Sequence, residues 1–180
     1  MSEVRYQYLF NEFNELVHYK KAIKGDKYRL YPELPLDYIF KAGNHNIHHF
    51  SLKAEPCNPF ALISSIGGKG ESIEHYNAKM EIVDNKKYYD TIFKKWIEFD
   101  EVKFETTYDN KRPDLSCLIN NELVCCIEIY KTNAKSESDI LELKKIGVPI
   151  IEININDENK CRHLILPTLL EANRQKLADI

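Results

Sequence analysis

The stretch Arg112-Pro113-Asp114-Leu115-Ser116-Cys117-Leu118-Ile119-Asn120-Asn121-Glu122-Leu123-Val124-Cys125-Cys126-Ile127-Glu128-Ile129-Tyr130-Lys131 decides the fold. Residues 113–119 and 123–130 are apolar runs of strand length around the turn pair Asn120-Asn121. Each run carries one acidic residue, Asp114 or Glu128, among apolar neighbours. One antiparallel register suits the pattern. Ile119 faces Leu123, Cys117 faces Cys125 and Leu115 faces Ile127. On the other face Leu118 meets Val124, Ser116 meets Cys126 and Asp114 meets Glu128. A slip of one residue would set Asp114 against Ile127 and turn every side chain to the opposite face. This register predicts a loop Asn120-Asn121-Glu122, with Asn121 in the left-handed position. It also sets the carboxylates of Asp114 and Glu128 opposite each other, with Cβ atoms about 5 Å apart. Like charges so placed are destabilising unless something positive neutralises them. A hard divalent cation does so through one or two carboxylates plus substrate phosphate. An Arg or Lys side chain does so equally well.

Outward from the hairpin, residues 102–107 read as a strand and Asp109-Asn110-Lys111 as a turn. Residues 136–146 read as a helix that Gly147 ends, and 148–153 as an apolar strand. A strand–helix–strand crossover implies parallel pairing and a right-handed connection. Residues 72–97 read as helical, broken near Asp84-Asn85, and 169–177 as a last helix after Pro167. The order from residue 72 to 154 is thus helix, strand, strand, strand, helix, strand, a mixed sheet flanked by helices. Upstream, the Pro/Gly-rich stretch 56–70 divides the chain into 1–66 and 67–180. Residues 3–22 read as an amphipathic helix, with Leu9, Phe13, Leu16 and Val17 at helical spacing, Ser2 as N-cap and Gly25-Asp26 as stop. Short strands follow at 28–31, 38–40 and 47–52, separated by Pro32, Pro35 and the Gly43-Asn44 turn. The expected fold is α/β with a small N-terminal α+β appendage.

The chain has 180 residues, with 25 Lys and Arg against 28 Asp and Glu and a net charge of −3. Hydrophobic residues make up 43% and charged residues 29%, which excludes a disordered chain, a coiled-coil rod and a collagen-like repeat. The acidic balance excludes nucleic-acid binding by bulk electrostatics and leaves a local basic patch or a metal ion. No window holds about 18 uninterrupted apolar residues, so no membrane association is expected. The N-terminus lacks the apolar region of a signal peptide. Five cysteines, an odd number without repeated spacing, fit a reducing, cytoplasmic setting rather than a disulfide framework.

Asp114 in one strand and Glu128 in the next, within helix–strand–strand–strand–helix–strand order, resemble the PD-(D/E)xK nuclease superfamily, including a literal Pro113-Asp114. The chain more narrowly resembles the competence protein CoiA-like nucleases over residues 45–154. It carries His49-Phe50, then Glu71-Ser72-Ile73-Glu74-His75-Tyr76-Asn77-Ala78-Lys79, then Arg112-Pro113-Asp114 and Glu128-Ile129-Tyr130. The resemblance implies a restriction-endonuclease-like αβββαβ core and a deoxyribonuclease using Mg²⁺ or Mn²⁺. Two departures bear on chemistry. Tyr130 stands where the superfamily usually has lysine, and Lys131, one residue on, points to the other strand face. The paired cysteines that hold zinc in the family's N-terminal module are reduced to Cys57, so no zinc is expected.

On this reading Asp114 and Glu128 hold the metal, with the Ile129 backbone carbonyl as a third oxygen. His75 and Lys79, four residues apart, share a helix face. Lys79 stands in for the missing lysine and His75 contacts phosphate or moves a proton. Tyr130 shares the Glu128 face and stacks on a base or bonds a phosphate. Glu74, Glu105 and Lys131 form a second tier. Lys69, in the Gly67-Gly68-Lys69-Gly70 loop, is expected at a DNA backbone with Lys111 and Arg112. His45, His48 and His49 mark a fold element rather than a ligand set, and the pairs Lys86-Lys87 and Lys94-Lys95 read as solvated helix faces. The resemblance also raises homodimerisation, by which such nucleases cut two strands. Two other classes fit the residues: a degenerate nuclease fold that binds nucleic acid without cutting, and a protein-interaction subunit with a merely structural acidic hairpin.

Overall fold

A computed structural model describes residues 5–43, 46–52, 71–108, 110–132, 134–157 and 159–164. The chain divides into two compact units, residues 1–80 and 81–180. The expected boundary at 66/67, Ser2, His45, Cys57, the Lys69 loop and the tail helix lie outside the described residues.

In the first unit, β1 (Tyr8–Phe10) and β2 (Leu16–His18) form an antiparallel ribbon. β3 (Lys27–Tyr28), β4 (Tyr38–Gly43) and β5 (Asn46–Leu52) form an antiparallel sheet of three strands. The helix expected over residues 3–22 is therefore a hairpin. The cause is local: the Asn11 side-chain oxygen accepts the N–H groups of Phe13 at 3.0 Å and Glu15 at 2.9 Å. Such side-chain bonds offer the backbone an alternative to the helical ladder. Asn14 completes the turn at φ 62°. Leu9 and Phe10 are buried, whereas Phe13, assigned to the helix's apolar face, is 75% exposed. The three strands expected after it are present with shifted ends. Aromatic rings fill their core, with Phe50 5.0 Å from Tyr28 and 5.5 Å from Phe40 between centroids.

Helix α1 (Ile73–Asn85) begins in the first unit and ends in the second. It stops well before residue 97 because Lys86 turns left-handed, at φ 52°. An antiparallel hairpin follows, β6 (Lys87–Asp90) and β7 (Lys95–Glu98). Tyr88 and Asp90 are buried and Tyr89 exposed, the period of a strand. The paired lysines thus lie on a ribbon, not on helix faces.

The second unit continues with β8 (Glu101–Phe104), β9 (Leu115–Ile119), β10 (Glu122–Tyr130), α2 (Glu137–Leu143), β11 (Ile150–Asn154) and β12 (Lys160–Leu164). Five strands form one mixed sheet in the order β12-β11-β10-β9-β8, with β10 and β11 parallel and the other pairs antiparallel. From β8 to β11 the order is the one the sequence predicts; β12 is an addition. Ser136 caps α2 by accepting the Asp139 N–H at 3.2 Å, and Gly147, at φ 85°, ends the turn after it. Leu143 of α2 packs with Ile146 and Val148 against Cys126, Ile150 and Leu164. Among the described residues no helix is long and apolar enough to cross a membrane.

The β9–β10 hairpin departs from expectation at its turn. Asn120 (φ 52°) and Asn121 (φ 63°) supply the two positive φ values of a type I′ turn, whose twist matches that of the flanking strands. The loop is therefore Asn120-Asn121 alone: Glu122 pairs with Ile119 and Leu123 with Leu118. The ladder then shifts between Leu123 and Cys125, leaving Val124 as the extra residue of a bulge. Beyond it Cys125 pairs with Cys117, Cys126 with Ser116 and Ile127 with Leu115, the expected register. Cys117, Cys125, Cys126 and Cys161 are free thiols inside this unit. Burial pushes the thiols of Cys117, Cys126 and Cys161 above their ordinary range.

Candidate functional site

The restored register sets Asp114 opposite Glu128 just beyond the Leu115–Ile127 pair. The two carboxylates are cross-linked to each other's backbone. Asp114 Oδ2 accepts the Ile129 N–H at 2.9 Å, and Glu128 Oε1 lies 3.4 Å from the Asp114 N–H that donates to it. The Asp114 carbonyl in turn accepts the Glu105 N–H at 2.9 Å. Asp114 is half-buried, and Glu128 is sealed from solvent.

Parallel pairing brings a third acid alongside. Glu128 lies opposite Glu152 of β11, and Glu152 lies opposite Arg162 of β12. Asp114, Glu128, Glu152 and Arg162 therefore form one row across four strands, on one face of the sheet. Lys135, in the loop before α2, closes the row from above. Its Nζ lies 2.9 Å from Glu128 Oε2, and its N–H donates to Glu152 Oε1 at 2.9 Å. Arg162 lies 3.1 Å from Glu152 Oε2. Burial, reinforced by the Asp114 charge and opposed by Lys135, pushes the Glu128 carboxyl up to about 7. Lys135 loses hydration, which favours its neutral form, but the charge and hydrogen bond of Glu128, with the charges of Asp114 and Asp139, together outweigh this and raise its pKa.

Lys135, Glu152 and Arg162 escaped the sequence reading. Glu152 had a usable signal: Ile150-Ile151-Glu152-Ile153 is an apolar strand with a lone acid, the pattern that singled out Asp114 and Glu128. Lys135 had none, since its position depends on the path of a loop.

The remaining candidates of this unit lie as follows. Ile129 meets the pair through its N–H. Tyr130 ends β10, half-buried, on the face of Glu128 and opposite Asn154. Lys131 lies past the strand end, and its carbonyl accepts from Asn156 Nδ2 at 2.6 Å. Glu105 takes φ 49° and pairs with Arg112, whose Nε donates to the Glu105 carbonyl at 3.1 Å. Lys111 is paired with Glu142. The Glu105 and Glu142 carboxylates thus hold two of the cations expected at nucleic acid, and the third, Lys69, lies outside the described residues.

The first unit holds its own polar cluster. Glu71 Oε1 lies 2.8 Å from Lys79 Nζ and 2.7 Å from His75 Nδ1, and Tyr31 donates its hydroxyl to Glu71 Oε2 at 2.5 Å. His75 and Lys79 share one face of α1, as their spacing predicts. Lys79 is only 1% exposed, so it is no solvated surface lysine. Burial alone would raise the Glu71 carboxyl, but His75 and Lys79 outweigh it and hold it below its ordinary value. Ser72 caps the helix by accepting the His75 N–H at 3.2 Å, and Glu74 lies half-buried in the first turn. Glu71 is the residue here to which the sequence reading gave no role, though it opens the segment that suggested the family.

Among the described residues no set of three or more His, Cys, Asp and Glu side chains is arranged to hold a metal ion. A cation at the Asp114–Glu128 pair would take two carboxylates and complete its shell with backbone, water and substrate oxygens, a donor set that suits Mg²⁺. Glu128 Oε2 fits that use, being buried with a charge partner in Lys135 but no aligned hydrogen bond. No family model, no curated protein and no solved structure matches this chain.

Proposed function

We propose that the chain is a metal-dependent nuclease of restriction-endonuclease-like architecture, hydrolysing phosphodiester bonds of DNA. The observation that carries this reading is the Asp114–Glu128 pair: two carboxylates on adjacent strands, locked by backbone bonds, one driven to about 7 by burial and its neighbour's charge. Keeping such a pair in a small sheet costs stability, and a site needing a divalent cation supplies a reason for it. The cation would supply Lewis-acid polarisation of the scissile phosphate. Asp114 and Glu128 hold the position by their interlocked backbone bonds. Lys135, 2.9 Å from Glu128 Oε2, is proposed to balance charge on the phosphate or to orient water. Tyr130 shares the strand face of Glu128 and is the aromatic side chain proposed to meet the substrate. A cytoplasmic, dimeric enzyme is the form this reading favours.

One observation favours the runner-up, a degenerate fold that binds without cutting. Lys135 already neutralises Glu128, as a structural ion pair would. Cleavage of single-stranded, duplex and branched DNA with Mg²⁺, Mn²⁺ or EDTA separates the two. Metal-dependent cutting abolished by both Asp114→Ala and Glu128→Ala supports the nuclease. No cutting on any substrate overturns it.

A further inference from the structure

Six large apolar side chains stand exposed among the described residues, and three of them, Tyr89, Ile92 and Trp96, belong to the β6–β7 hairpin. Tyr89 and Trp96 are cross-strand partners on its outer face, with ring centroids 5.6 Å apart and Trp96 55% exposed. Lys87 holds its Nζ 5.2 Å from the Trp96 ring centroid. Over residues 86–98 the lysines 86, 87, 94 and 95 face two acids, Asp90 and Glu98, a formal +2 in a chain of −3. Asp90 is fully buried, and the exposed acid, Glu98, lies 3.9 Å from Lys87 Nζ across the ribbon, which leaves Lys86 and Lys94 as the exposed cations at its two turns.

The hairpin is fixed from behind. Asp90 Oδ1 accepts the Ile92 and Phe93 N–H groups at 2.8 and 2.9 Å, which shapes the tip. Asp90 Oδ2 is held by the Tyr88 hydroxyl at 2.8 Å and by His163 Nε2 of β12 at 2.6 Å. Thr91 Oγ1 accepts the Cys161 N–H at 2.8 Å, and the Phe93 ring packs 5.0 Å from His163. His163 is the neighbour of Arg162 in β12, so it projects from the sheet face opposite the carboxylate row.

We propose that the outer face of this hairpin binds single-stranded nucleic acid, with unpaired bases stacking on Trp96 and Tyr89 and the exposed Lys86 and Lys94 meeting the phosphates. Exposed rings within a basic ribbon suit a partner with both flat π-faces and negative charge. Duplex bases are already stacked on one another and cannot offer those faces. An apolar protein partner would match the rings but not the charge of the exposed Lys86 and Lys94. Anchoring through Asp90 and His163 holds the rings in place before binding, which reduces the ordering cost. The surface is separate from the carboxylate row and does not depend on hydrolysis there.

Trp96 is the only tryptophan in the chain, so its fluorescence reports this surface alone. The experiment titrates the full chain in EDTA with a short oligothymidylate and, separately, with duplex of the same length. Expected are quenching of Trp96, weakening with added salt, and preference for the single strand. Labelled-oligonucleotide anisotropy should show Trp96→Ala binding about tenfold or more weakly, with Trp96→Phe near wild type. Unaltered thermal melting of both variants confirms that they fold. Absence of quenching, equal affinity of Trp96→Ala, or self-association abolished by Trp96→Ala would each overturn the proposal. Metal-dependent cutting without Trp96 quenching would sink this proposal and leave the nuclease; quenching without cutting would do the reverse.

Discussion

Glu128→Gln should stabilise the fold in alkaline solution and do little in acid. The Glu128 carboxyl rises from 4.5 to about 7 on folding. The native state therefore holds this proton more tightly than the unfolded chain. Its stabilising contribution is complete below 4.5, declines as the pH rises, and is gone above 7. Over that interval the wild type loses about 3 kcal/mol through this one group. Glutamine does not titrate and escapes the loss. It also gives up the Lys135 ion pair, but that attraction already holds the Glu128 carboxyl below where burial and Asp114 would put it, so it is part of the loss of about 3 kcal/mol. The net expectation is a variant about 3 kcal/mol more stable than wild type at pH 8, with little difference at pH 5. Urea unfolding of both proteins at both pH values measures it. The same pH dependence in the two proteins, or a wild type that gains on the variant as pH rises, would refute the reasoning. Under the nuclease reading Mg²⁺ at pH 8 should recover the missing stability in the wild type and not in the variant.

Lys135→Met removes the ammonium beside Glu128, so any metal-dependent cleavage should fall about a hundredfold and its pH profile should move to higher pH; a pH series of kcat checks both. Asp90→Asn should cost about 2–4 kcal/mol at neutral pH, since it breaks a buried charge network. Asp90 is buried, but bonds from His163, Phe93 and Tyr88 outweigh the desolvation and hold its carboxyl down to about 2. Its stabilisation is therefore complete above 3.8 and lost as the pH falls toward 2, so the variant should lack this acid limb in urea unfolding. Asn121→Val forces a β-branched residue into φ 63° and should cost about 1–2 kcal/mol. The bulge at Val124 separates that turn from Glu128, so the pH dependence of stability should survive the substitution.

The hairpin was legible because its information is local: alternating apolar residues and one acid per strand specify which side chains must pair. The turn was misjudged by one residue because a type I′ turn at Asn120-Asn121 satisfies strand twist, and a bulge lets the turn and the distal ladder each keep its preferred register. The N-terminal segment misled for the opposite reason. Leu9, Phe13, Leu16 and Val17 fit a helical period, yet Asn11 and Asn14 favour turns and the tyrosines favour strands. Residues 86–98 failed similarly: a left-handed Lys86 ended the helix where the apolar pattern ran on. Of the site, Asp114 and Glu128 could be read from their own strands. Glu152 needed the parallel alignment of β11 with β10, and Lys135 needed a loop path, and neither is written in a periodic pattern.

The buried thiols give the second unit internal clocks. Cys117 of β9, Cys125 and Cys126 of β10, and Cys161 of β12 are sealed and free of disulfides. A modifying reagent reaches each only while its strand is open. The labelling rate at each position therefore reports the opening of that strand, with no probe introduced. Cys161 sits on the outermost strand beside the hairpin anchor, whereas Cys117 and Cys125 face each other within the central ladder. Labelling in that order, edge before centre, would mean that the sheet unravels from β12 while the strands carrying Asp114 and Glu128 stay paired.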